Sequence, residues 1–212
     1  MTRIKTYIIN LEERFERRQH IIGEFKNRDE FDIKLIPAIK DSIGSWGLWL
    51  TVHKIVENAN QENHPYIIIC EDDHSFTDAY NKISFLNMID SIHKYQPALL
   101  IGGASWFDVA LPVKENLFWL NQFNGFQFTI IFKKFYDTIL NLKFEKGRAI
   151  DYEFSSISDR NFVLFPFISI QKEFGYSDVT KRNGNEGYIS RIFGRSSVKL
   201  NQLSTIARYY KI

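Results

Sequence analysis

The stretch "YIIICEDDHSF", Tyr66–Phe76, decides how the rest of the chain is read. Tyr66, Ile67, Ile68, Ile69 and Cys70 form an apolar run that needs cover on both faces, as an inner strand of a parallel sheet does. Three acids follow at once, Glu71, Asp72 and Asp73, and they repel one another at the strand tip unless positive charge gathers there. Two readings stay open. One is a solvated strand end. The other is a divalent-cation site at the carboxyl edge of an α/β sheet, where open sheets bind their ligands. On extended backbone Glu71 and Asp73 point to one side and Asp72 to the other. That D-x-D-like geometry suits Mg²⁺ or Mn²⁺ held by one or two carboxylates, with diphosphate oxygens completing the octahedron. His74 reads as a loop residue rather than a ligand.

Working outward, the elements alternate. "IKTYIINL" (Ile4–Leu11) predicts a first strand, and "ERFERRQHIIGEFKN" a helix with Phe15, Ile22 and Phe25 along one stripe. "FDIKLIPAI" predicts a second strand. "SWGLWLTVHKIVENAN" places Leu48, Val52, Ile55, Val56 and Ala59 at helical spacing. After the acidic strand come a helix through Phe85, Met88, Ile89 and Ile92, then a short strand at Ala98–Gly103. The first half thus reads β-α-β-α-β-α-β, which implies a mostly parallel sheet with right-handed crossovers. The second half is less regular. "FQFTIIF" predicts a strand, "KKFYDTILNL" a helix, "RAIDYEFSSIS" a helix opening at Asp151, and "NFVLFPFISIQ" an extended segment. Gly184, Gly187 and Gly194 punctuate a tail expected to be irregular. The expectation is one mixed α/β domain over 1–212, with halves at 1–103 and 104–180 and a basic segment at 181–212.

At 212 residues, 44% hydrophobic and 16% aromatic, the chain can bury a sizeable core, and disorder is excluded as its general state. The start "MTRIKTYIINLEERF" has the pattern of neither a signal peptide nor a span, and no apolar stretch reaches membrane length. The single cysteine, Cys70, excludes a disulfide framework, so a cytoplasmic location is expected. From Lys181 to Ile212 seven basic residues face one acid, Glu186, a balance of +6 that leaves −4 for the rest of a chain of net charge +2. A basic tail suits nucleic acid, an acidic surface or a diphosphate, or is a solvated face. Here the cations are spaced among Tyr188, Ile192, Phe193 and Leu200, as in a packed segment. A role in binding a diphosphate or an acceptor, and no nucleic acid, is therefore expected.

Three more places attract chemistry. Asn10, Arg14, Arg17 and Arg18 follow the first strand, at the sheet edge where the acids also lie; they suit a nucleotide, or an exposed helix with pairs such as Glu13–Arg17. Asp151, between Ile150 and Tyr152, suits an N-cap or a general base. Gln171, Ser177 and Asp178 sit in "SIQKEFGYSDV", a plain turn or a second ligand contact.

Taken in order, "YIINLEERFERR", "PAIKDSIGSWGLWLTVHKIV", "YIIICEDDHSF", "AIDYEF" and "ISIQKEFGYSDV" resemble glycosyltransferase family 25 from about Thr6 to Val179. That family includes lipooligosaccharide and collagen galactosyltransferases. The resemblance implies a GT-A fold, a Rossmann-like nucleotide-sugar-binding sandwich, and metal-dependent inverting transfer of a hexose from a UDP-sugar to a glycan or glycoprotein acceptor. It implies Mn²⁺ (or Mg²⁺) on Glu71 and Asp73. Donor binding would fall to Asn10, Arg14, Arg17, Thr51 and Asp72, and the base would be Asp151. Acceptor contacts would come from Gly103, Trp106, Gln171, Ser177 and Asp178. The chain departs from the family at Gly47-Leu48-Trp49-Leu50-Thr51-Val52, where Thr51 keeps a hydroxyl but Val52 replaces a histidine. His53 comes one residue late, about 100° around the helix. Other readings are a different donor such as UDP-rhamnose, a degenerate sugar-nucleotide-binding module, and a metal-dependent phosphohydrolase. An aspartyl-phosphate phosphatase would want its nucleophile after the first strand, where the chain has Asn10.

Overall fold

The computed structural model describes residues 3–175 and 185–210. β1 (Ile4–Asn10) buries every residue except Lys5. Through α1 (Phe15–Glu24), β2 (Phe31–Pro37) and α2 (Gly44–Gln61) the chain crosses to β3 (Tyr66–Glu71). β1 lies parallel between β2 and β3, with Asn10 beside Pro37 and Ile9 beside Glu71. The carboxyl ends of three parallel strands therefore finish level, and the acidic turn starts from that edge.

β4 (His74–Phe76), α3 (Lys82–Ile92) and β5 (Leu99–Ile101) follow. Then come the short strands β6 (Trp106–Phe107), β7 (Ala110–Lys114), β8 (Leu117–Leu120) and β9 (Phe123–Asn124). β10 (Phe128–Phe132), α4 (Tyr136–Leu140), α5 (Ile150–Ser156), β11 (Asn161–Leu164) and β12 (Ser169–Gln171) lead to a long α6 (Tyr188–Tyr210). Among the described residues the main sheet has eight strands in the order β2-β1-β3-β10-β5-β11-β8-β7. Its neighbour pairings leave six strands pointing one way and only β10 and β8 reversed. The α/β sandwich is as expected, and its sheet is mixed: most strands point one way, but three of the seven neighbour pairings are parallel and four antiparallel. The difference is β10, an antiparallel strand from the second half that separates β3 from β5.

The aliphatic run explains the layers. Ile67 and Ile69 join one core with Val52, Ile55, Val56 and Ala59 of α2. Ile68 and Cys70 join the other with Ile21 and Phe25, and with Phe85, Ile89 and Ile92 of α3. Each fully buried isoleucine contributes about 1.5–3 kcal/mol, which fixes β3 and hence the position of Glu71. No helix among the described residues is long and apolar enough to cross a membrane.

Two elements correct the sequence reading. In α1 the inward positions are Arg17, Ile21 and, just past its end, Phe25, spaced i, i+4, i+8, while Phe15 is 68% exposed and Ile22 faces outward. The tail, expected to be irregular, contains the 23-residue α6, with Ile189, Phe193, Ser196, Leu200 and Ala207 buried.

Candidate active site

A cleft of about 1620 Å³ opens over the level ends of β1, β2 and β3. Arg14, Arg17, Glu71, Asp72, Asp73, Trp106, Asp151 and Gln171 all line it, although they come from distant parts of the sequence. The β4–β12 ribbon helps to set the acidic turn: Gln171 pairs with His74, and the Lys172 N–H donates to the Asp73 carbonyl at 2.7 Å.

Asp72 is buried, and protein groups meet its carboxylate. Asn10 Nδ2 donates to Oδ2 at 2.9 Å, Arg17 Nη1 donates to Oδ1 at 3.2 Å, and Arg14 Nη1 stands 3.7 Å from Oδ1. Phe174 covers the Arg17 guanidinium at 4.8 Å. Asn10 does not line the cleft; it supports Asp72 from below. Arg17 is buried too, so its first role is to hold the turn. Arg17→Ala is expected to cost about 3–5 kcal/mol in denaturant unfolding without any ligand, because it strands a buried carboxylate. Arg14→Ala, at a partly exposed position, should cost under about 1 kcal/mol and act on donor affinity instead. Equal stability losses would contradict this division of labour.

Asp73 differs from Asp72. Its Oδ2 lies 3.6 Å from Arg17 Nη1, while Oδ1 is buried with no hydrogen-bond partner among the described residues. Burial, then the charge of Asp72, pushes the Asp73 carboxyl up to about 7 against the pull of Arg17 and Arg14. Burial and the charges of Asp73, Asp151 and Asp72 push Glu71 well above the carboxylate range. Neighbouring carboxyls whose charge burial penalises, one with an unpartnered oxygen, fit a divalent cation that would offset that charge. Among the described residues no three His, Cys, Asp or Glu side chains could hold a metal by themselves. Glu71 and Asp73 therefore fit an ion whose remaining ligands come from substrate or water.

Asp151 sits in the first turn of α5, whose N-cap is Ala149, so the capping role is corrected. Its Oδ2 accepts the Gly125 N–H at 2.8 Å and its Oδ1 the Tyr152 N–H at 2.9 Å. Burial raises its pKa to about 6, and the two backbone donors oppose that rise. Gly125 has φ +155°, and a Cβ there would stand 2.5 Å from the Gly103 carbonyl, so glycine is required for its N–H to reach the carboxylate.

Besides Asn10, expected to bind donor, two more expected contacts fall outside the cleft. Thr51 is buried: its hydroxyl donates to the Gly47 carbonyl and accepts the Ile39 N–H, both at 2.8 Å. A Cβ at Gly47 would stand 2.2 Å from the Ile39 carbonyl, so Gly47 and Thr51 together dock the exit of β2 onto α2. Val52 is in the core, and His53 packs edge-on to Trp49. Gly103 is a close-approach point, its Cβ position 2.1 Å from the Ser169 carbonyl, and it does not line the cleft. Ser177 and Asp178 lie outside the described residues. The sequence reading missed Lys40, Asp41 and Ser42 after β2, which the same edge-of-sheet rule would have found; Arg195 and Lys199, cations of the basic segment, do line the cleft, and Tyr188 stands with them on α6.

No family model matches the chain, and no curated protein does. In overall structure it is similar to A197 from STIV, with TM-score 0.55 and 10% identity over 84% of this chain and 87% of that one. It is similar as well to an apo UDP-glucose pyrophosphorylase, with TM-score 0.50 and 11% identity over 92% and 82%. A glycosyltransferase involved in the glycosylation of the major capsid of PBCV-1 gives TM-score 0.46 and 9% identity over 78% and 83%. At these identities what is shared is the fold alone, an α/β sandwich around a large central sheet.

Proposed function

We propose that this chain is a metal-dependent glycosyltransferase that moves a hexose from a UDP-sugar to a hydroxyl of a glycan or glycoprotein with inversion. The observation that carries it is the convergence, in one cleft, of the Glu71–Asp73 pair with its open buried oxygen, Arg14, and Asp151 with its raised pKa. Glu71 and Asp73 would hold Mn²⁺ or Mg²⁺, and the ion supplies positive charge against the leaving nucleotide diphosphate. Arg14 adds a guanidinium for phosphate oxygens. Asp72, held by Asn10 and Arg17, fixes the turn that aims the two ligands. Asp151 takes the proton from the acceptor hydroxyl, and Trp106, 44% exposed in the cleft, offers an indole face for a sugar. Donors such as UDP-galactose, UDP-glucose and UDP-rhamnose share the diphosphate that this half of the cleft recognises.

The likeness to UDP-glucose pyrophosphorylase favours a second reading, nucleotidyl transfer. Against it, the segment from Asn10 to Arg18 has three glutamates and no glycine, the opposite of a backbone cradle for a triphosphate. Incubation with a panel of UDP-sugars should release UDP with Mn²⁺ and not with chelator. UTP plus sugar 1-phosphate should release no pyrophosphate. Silence from every UDP-sugar, or pyrophosphate release, would sink the glycosyltransferase reading.

A further inference from the structure

The opposite wall of the same cleft has chemistry that donor binding does not use. Tyr188, Ile192, Arg195, Ser196 and Lys199 of α6 line it at spacing i, i+4, i+7, i+8 and i+11, one face of the helix. α6 contains no acidic residue. Arg191, Arg195 and Lys199 stand in an i, i+4, i+8 row of like charges, an arrangement that weakens a helix. Arg191 acts on Glu173, whose carboxylate caps the start of α6 by accepting the Gly187 and Ile189 N–H groups at 2.8 and 2.6 Å. Arg195 and Lys199 have no carboxylate at ion-pair distance among the described residues; Lys199 stands 5.7 Å from the centre of the Phe107 ring. The helix is pinned there, since Ser196 Oγ donates to the Ser105 carbonyl at 2.8 Å and α6 packs on β6 and β7. Trp106 of β6 lines the cleft beside it.

From this geometry we propose that Trp106, Arg195 and Lys199 form the acceptor subsite, and that the acceptor is an anionic sugar carrying a carboxylate or a phosphate. The proposal rests on the glycosyltransferase reading and names its acceptor class. The indole face takes the apolar face of the ring, and the two cations take the anionic substituent. The alternative is that the pair clamps the donor diphosphate. Arg14 and Arg17 stand 3.7 and 3.2 Å from Asp72 Oδ1, at the acidic end of the cleft, where Arg14 already serves the diphosphate, and that leaves Arg195 and Lys199 to the acceptor.

The test uses the whole chain, saturated with UDP and Mn²⁺ and titrated with methyl β-glucuronide, glucose 6-phosphate and neutral methyl β-glucoside by ligand-observed NMR. At least one anionic probe should bind tenfold or more tighter than the neutral one, and which of them does so separates carboxylate from phosphate. Arg195→Gln with Lys199→Gln should abolish that preference and change UDP affinity less than twofold. The double variant relieves a like-charge row, so α6 should remain folded, which its melting temperature checks. Equal binding of all three probes, or none, overturns the proposal. So does a fall in UDP affinity in the double variant, which would assign the pair to the diphosphate. Failure of the glycosyltransferase reading looks different: no Mn²⁺-dependent UDP binding, with the anionic preference retained.

Discussion

Asp151→Asn is expected to lower turnover at least a hundredfold while leaving donor affinity within about twofold. General-base assistance is typically worth about 10²–10⁴ in rate, and Asp151 is the acid in the cleft whose neighbours fix both oxygens without neutralising them. Those hydrogen bonds change what asparagine does. A carboxylate accepts from both Gly125 and Tyr152, whereas the amide NH₂ would face one of the two N–H groups. A stability loss of about 1–3 kcal/mol is therefore expected, where an N-cap reading predicts almost none, and rates must be compared well below the variant's melting temperature. The pH profile separates the base from a structural role. Because burial raises Asp151 to about 6, the wild-type rate should climb as pH rises through that value, and the variant should lack this limb. Folding runs the other way. A carboxyl raised from 3.8 to about 6 favours the folded state below the unfolded value, and that contribution is lost as pH rises through about 6. Activity and stability should thus move in opposite directions between pH 4 and 7. Transfer by the variant within tenfold of wild type, or an unchanged limb, would remove Asp151 as the base.

Periodicity and the edge-of-sheet rule made much of this molecule legible. The run Ile67–Cys70 told of cover on both faces, and its residues do divide alternately between two cores. The level ends of β1 and β3 followed from parallel pairing, and with them the meeting of Arg14, Arg17 and the acidic turn. What periodicity could not show is partnership. Arg17 takes an inward position on α1 because Asp72 is there to receive it, and a hydrophobic stripe drawn through Phe15 instead misplaces the helix by a large rotation. Thr51 looked like a free hydroxyl, yet it donates back within α2 to the Gly47 carbonyl, and the Ile39 N–H reaches it once the exit of β2 docks on α2. The α6 helix was legible in Ile189, Phe193, Leu200 and Ala207 at helical spacing, yet Gly187 and Gly194 were read as breaks. Only Gly187, with φ +71°, acts as one, and it stands just before the helix. Gly194 sits in the helix interior at an exposed position, where it costs about 1 kcal/mol relative to alanine and does not stop the helix.

Asp73→Asn should abolish Mn²⁺-dependent UDP binding, with affinity in the presence of the ion falling at least a hundredfold and affinity in chelator unchanged. Asp73 has the acidic oxygen left open by the protein, whereas Asp72 is already met by Asn10 and Arg17. The same variant should raise the melting temperature of the metal-free chain at pH 8. Without a cation a mostly buried carboxylate, pushed up to about 7 by burial and by Asp72, is forced to ionise there. Asparagine removes that charge. Because the folded-state pKa is raised, the penalty is absent below about 4 and grows as pH rises through 7, so the advantage of the variant should vanish at pH 4. Wild type responds to ligand in the other direction. UDP with Mn²⁺ at a hundredfold excess over Kd stabilises by about 2.7 kcal/mol, roughly 5–10 °C for a chain of this length, and the variant should show none of that shift. The two melting effects have opposite signs, so a general loss of folding cannot imitate them. A variant that keeps the Mn²⁺-dependent shift would take the metal away from Asp73. One that melts lower than wild type at pH 8 without metal would show that this carboxylate is satisfied by the protein after all, and the case for a cation at the end of β3 would go with it.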